Sequence, residues 1–174
     1  LIEALNTIDG LNNEDRMGMM TALGKFMHEI HDGHGFYSDW GTDAFADSYI
    51  PIQIQQVNGE PVVRASADAA INAGDTIVAI DGVPAEDFYE EAMSRYSASS
   101  QGYRFVLATD EVKYIYGSSK ELTLRDPEGN DRTITTSGDW AAYDSVPWGG
   151  TFRESGMLDD LGAPDVLYVN LNGN

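Results

Sequence analysis

The chain has 174 residues, 42% of them hydrophobic, which is enough for one fair-sized core or two small ones. Ten Lys and Arg stand against 29 Asp and Glu, and the formal charge of −19 argues against nucleic acid and anionic membranes as partners. There is no cysteine, which excludes disulfides, thiolate metal sites and a cysteine nucleophile, and no apolar run of about 18 residues that would cross a bilayer as a helix.

The first forty residues have helical character. Asn12 or Asn13 can cap a helix whose first turn holds Glu14 and Asp15, and Met17, Met20, Leu23, Met27 and Ile30 recur at spacings of three and four as one apolar stripe. Gly33 is a natural stop. From Tyr49 the period changes to two: Ile50, Ile52 and Ile54 alternate with Pro51, Gln53 and Gln55, and Asn58-Gly59 turns the chain into Pro61-Val62-Val63 as a hairpin. The small residues from Ala65 to Ala73 predict a short helix. Gly74 to Pro84 reads as a turn, a buried strand (Thr76 to Ile80) and a tight Asp81-Gly82 turn, followed by an amphipathic helix from Ala85 to Arg95. Tyr103, Phe105 and Leu107 alternate, as do Val112, Tyr114 and Tyr116, so further strands are expected between 96 and 117. Leu122 to Arg125 and Arg132 to Thr135 flank Asp126-Pro127-Glu128-Gly129-Asn130, a hairpin with explicit turn chemistry. Ser137 to Gly162 reads as an irregular connection, and Val166 to Leu171 as a strand. The chain opens at Leu1 without a Met or leader and closes just after that strand, so a piece of a longer protein is expected.

The stretch Ala70-Ile71-Asn72-Ala73-Gly74-Asp75-Thr76-Ile77-Val78-Ala79-Ile80-Asp81-Gly82 resembles the signature of bacterial PDZ domains, with Ala70 where a glycine is usual. Upstream, a helical segment ends in His31-Asp32-Gly33-His34-Gly35-Phe36; downstream comes the strand beginning near Val166. That order of parts resembles the C-terminal-processing, tricorn-like serine peptidases. The resemblance implies an α+β fold: an N-terminal helical subdomain (1–45), a PDZ-like small barrel or sandwich capped by helices (46–137, with an insertion around 96–120), and a connection into the first strand of a catalytic domain (138–174). It implies the regulatory, substrate-recognising front of an extracytoplasmic serine endopeptidase, located in the periplasm, secreted or lipid-anchored at the outer membrane. In the family's order of parts the nucleophile would lie past Asn174, so the 174 residues alone are expected to be inactive. No cofactor is implied, and the partners are protein or peptide substrates, including C-terminal tails. The alternative is a non-catalytic PDZ-like peptide-binding or adaptor module.

Within this likeness His34 matches the histidine that serves the tricorn-like branch as general base, a task that needs a pKa near working pH and a fixed approach to the nucleophile. In the lysine-using branch the same motif only shapes a turn. The peptide site implied by the resemblance is Tyr49, Ile50, Ile52, Gln53 and Ile54, where a chain end would add as a strand with its carboxylate held by backbone N–H groups. Pro51 has no N–H to offer there. His28, His31 and His34 are the only histidines, but His28-Glu29-Ile30-His31 lacks the zinc-peptidase spacing, so no metal site is assigned. There is no Gly-x-Ser-x-Gly, the adjacent Ser119 and Lys120 would point to opposite faces of a strand, and Ser97 to Ser100 read as loop serines.

Overall fold

The computed structural model describes residues 16–32, 46–143, 145–146, 156–158 and 163–168. Their order is α1 (Arg16–His28), β1 (Ser48–Tyr49), β2 (Ile52–Val57), β3 (Glu60–Ser66), β4 (Thr76–Ile80), β5 (Val83–Pro84), α2 (Ala85–Met93), α3 (Gln101–Lys113), β6 (Tyr114–Ile115), β7 (Lys120–Arg125), β8 (Asp131–Thr136), α4 (Trp140–Tyr143), β9 (Gly156–Leu158) and β10 (Ala163–Tyr168). The class is α+β, as the sequence predicts.

The main sheet runs β2-β3-β4-β7-β8, with β5 folded back onto β4. Three local turns set its registers. Asn58 (φ 52°) with Gly59 (φ 92°) joins β2 to β3, and Asp81 (φ 48°) with Gly82 (φ 77°) joins β4 to β5; paired positive φ values are what a two-residue hairpin with native twist requires. Between β7 and β8 the Asp126 carboxylate accepts the Asn130 backbone N–H at 2.8 Å. Where a barrel or sandwich is expected, the sheet stays open: β2 and β8 are its edges among the described residues.

Ile52, Val63, Ile77, Ile80, Leu122 and Leu124 enter one apolar interior from the strands, each 1% exposed or less. α2 covers them with Ala85, Tyr89 and Ala92, and α3 with Phe105, Ala108 and Val112. Tyr89 and Phe105 lie flat against each other, centroids 4.4 Å apart. Burying a side chain of this size contributes about 1.5–3 kcal/mol, so this cluster dominates the stability of the unit. Asp75 is 1% exposed, accepts the Asn72 N–H at 2.7 Å, and is gripped by two guanidinium nitrogens of Arg132, which ties the turn before β4 to β8.

Four expectations change. The stretch from 101 to 113 is a helix, not strands: Ser100 caps it by accepting the Tyr103 N–H at 3.2 Å, and Phe105, Ala108, Thr109 and Val112 form its buried stripe. Residues 67–73 form bends and turns, with Asp68 accepting the Ala70 N–H, because short side-chain bonds compete with a helix there. In α1 the apolar stripe is only partly buried: Met17 is 40% exposed, Met20, Leu23 and Met27 are half-buried, Ile30 just past the helix is 48% exposed, and Ala22 is the buried position. The connection after 137 contains α4 and β9, and the last strand begins at Ala163, pairing antiparallel with β9. Its expected residues 169–171 lie outside the described set.

Candidate functional site

The expected peptide site falls on β1, β2 and the turn between them. Tyr49 pairs with Tyr114 of β6, their rings edge to face at 4.9 Å. The Ile50 N–H donates to the Lys113 carbonyl at 2.9 Å, and the Ile52 N–H donates back to the Ile50 carbonyl at 2.9 Å across Pro51. The Tyr49 and Pro51 carbonyls accept the N–H groups of Asp139 (2.8 Å) and Ala67 (2.9 Å). Tyr49, Ile50 and Ile52 are 5%, 0% and 0% exposed, so their side chains belong to the interior. Gly138 (φ 66°) lets the chain pass over this turn, since a Cβ there would lie 2.8 Å from Ile115 Cδ1 and closer still to the Tyr49 carbonyl.

Gln53 and Ile54 are half-buried on β2, and the Nε2 of Gln53 is buried with no hydrogen-bond partner among the described residues. Among the described residues β2 pairs with β3 on one side only, and α3 packs close to it. The two-residue turn makes Val57 and Glu60 the last hydrogen-bonded pair. By alternation the main-chain groups of Gln56 and Ile54 then point away from β3; Pro61, opposite Gln56, has no N–H to give. A pocket of about 500 Å³ opens at the Gln56 end. Ile77, Tyr89, Met93 and Phe105 supply apolar walls, and Glu60 and Glu86 supply carboxylates. Arg125 also lines it, but its guanidinium is held by Asp131 through bonds of 2.7 and 3.0 Å.

His34 lies outside the described residues. The chain leading to it is described as far as Asp32 and is fastened to the connection between α2 and α3. His28 Nδ1 donates to the carbonyls of Met93 and Tyr96, each at 3.1 Å. His31 Nδ1 meets Arg104 of α3. Ser97 Oγ accepts the Asp32 N–H at 3.0 Å and donates to the Asp32 carbonyl at 2.8 Å. Among the described residues no set of three His, Cys, Asp or Glu side chains is placed to hold a metal ion.

Ser119 and Lys120 do not come together as a dyad: Ser119 is exposed just before β7, and Lys120, the first residue of β7, is buried. Lys120 Nζ donates to the carbonyls of Glu111 (2.9 Å) and Val112 (3.2 Å), satisfying the end of α3. Burial pushes its pKa down to about 8, against the opposing pull of Asp81 and Glu111. Sequence reasoning passed over α3, the pocket and the burial of this lysine against the end of α3. The Ser100 cap and the 105-108-109-112 spacing were the available signals; the pocket has none, because its walls come from five separate segments.

No protein-family model and no curated protein matches the chain. Solved structures do. The chain is similar to mature CPAF in complex with lactacystin at 17% identity and a TM-score of 0.56, covering 78% of this chain and 27% of that one. Mature CPAF alone gives 16% and 0.53, again with 78% and 27% coverage. A serine-to-alanine mutant of CPAF gives 18% and 0.55, with 78% and 26%. At these identities the likeness is one of fold. This chain spans about a quarter of the length of those proteins.

Proposed function

We propose that this chain is the N-terminal and PDZ-like, substrate-recognising part of a serine endopeptidase of the C-terminal-processing type, working outside the cytoplasm, with its nucleophile supplied outside these residues. CPAF is a chlamydial serine protease of that class. The observation that carries the reading is the shared fold over 78% of this chain. The PDZ-like signature at Ala70 to Gly82 and the order of parts agree with it independently. Among the described residues no helix is long and apolar enough to cross a membrane.

In this reading the groove between β2 and α3 receives an extended polypeptide, and His34 is the general base, carried just beyond a segment fastened to the α2–α3 connection by Ser97 and Arg104. The full-length protein should react with a fluorophosphonate probe for activated serines and hydrolyse an unfolded protein, whereas the 174-residue chain does neither. His34→Ala in the full-length protein should remove turnover while leaving its thermal unfolding unchanged. Full activity in that variant would take His34 out of the mechanism, and no probe labelling of the full-length protein would reject the peptidase reading.

A further inference from the structure

We propose that the outer edge of β2 takes internal, extended stretches of a protein substrate and does not depend on a free C-terminal carboxylate. This rests on the reading of the β2–α3 groove as a polypeptide site and narrows what that site accepts.

Holding a terminal carboxylate requires several convergent N–H groups or a cation, because its charge must be met by donors as water is removed. Among the described residues, the turn where a chain end would dock offers neither. The Ile50 N–H is engaged by the Lys113 carbonyl and the Ile52 N–H by the Ile50 carbonyl, both at 2.9 Å, and Pro51 has none. The ammonium of Lys113 is 3% exposed and paired with Asp110 at 2.5 Å. Asp47, whose carboxylate accepts the Gly117 N–H at 2.6 Å, adds negative charge near β1 and β6 in a chain already at −19.

Strand addition itself needs only main-chain groups, and β2 offers those of Ile54 and Gln56 on the edge away from β3. The pocket that begins at Gln56 runs inward toward β3 and β4, walled by Pro61, Ile77, Tyr89, Met93 and Phe105, and gives room for one side chain at that end of an added strand. The carboxylates of Glu60 and Glu86 make a cationic side chain the fitting occupant there. The site is thus furnished along its length and bare where a chain end would sit.

The test is fluorescence anisotropy at physiological salt with the 174-residue chain and one labelled peptide of alternating valine and glutamine with a central lysine, prepared as free acid and as amide. The expected result is that the two forms bind within about twofold of each other, and that Gln56→Pro, which deletes an outward N–H, weakens both by tenfold or more. Tenfold weaker binding of the amide overturns the proposal, and so does undiminished binding by Gln56→Pro. Binding of neither form at millimolar peptide removes the groove reading itself, and this inference with it.

Discussion

The two ends of β2 differ although one strand carries both. At the Ile52 end every main-chain donor has a partner and the side chains are interior. At the Gln56 end the main-chain groups point off the sheet beside an open, acid-lined pocket. The difference originates at the end of α3. Its last carbonyls need donors, and Lys120 serves Glu111 and Val112 while the Ile50 N–H serves Lys113. The turn at Pro51 closes the end of a helix, and that use removes it from ligand binding. An edge strand is therefore available only where no other element has already drawn on it.

The strongest way to break this contrast is Gly138→Ala. The added carbon would overlap the Tyr49 carbonyl and Ile115 at a positive φ, forcing the 137–139 passage off the closed end. A loss of about 3 kcal/mol is expected, seen as a melting temperature roughly 6–12 °C lower. An unchanged melting temperature would mean the passage is not held there.

Lys120 gives the next largest effect, through pH. Its folded pKa of about 8 lies below the ordinary lysine value of 10.5, so its charge opposes folding. That penalty is complete below pH 8 and disappears as pH rises toward the unfolded value. Between pH 7 and 9.5 the wild type should gain about 2 kcal/mol relative to Lys120→Met, read from denaturant titrations of both proteins. A difference that stays flat across this range would show that Lys120 is not desolvated. The smallest effect belongs to the open end: Gln56→Pro should shift stability by less than about 1 kcal/mol, since the deleted N–H has no role in the sheet. A larger loss by thermal unfolding would place that N–H inside the fold.

The sequence made legible whatever short-range chemistry decides. Asn58-Gly59, Asp81-Gly82 and Asp126 to Asn130 announce their turns, and with the registers set, Leu122 and Leu124 reach the interior as alternation requires, while Ile77 and Ile80, three residues apart, both reach it because the pairing of β4 with β7 shifts register between Ile77 and Ala79. The 101–113 stretch misled because Tyr103, Phe105 and Leu107 alternate by chance within a helix whose true stripe runs through Phe105, Ala108, Thr109 and Val112. The site was half legible. Pro51 already signalled a missing donor, but the engagement of the Ile50 N–H depends on the Lys113 carbonyl at the end of α3, about 60 residues away in the chain, and no local pattern encodes a pairing at that distance.

The joint between the end of α1 and the α2–α3 connection has an evolutionary corollary. His28 binds the carbonyls of Met93 and Tyr96, and Ser97 binds the main chain of Asp32, so side-chain identity at 93, 96 and 32 is invisible to these bonds. Mutational drift at those positions should leave the joint intact, while selection to keep it would fall on His28 and Ser97.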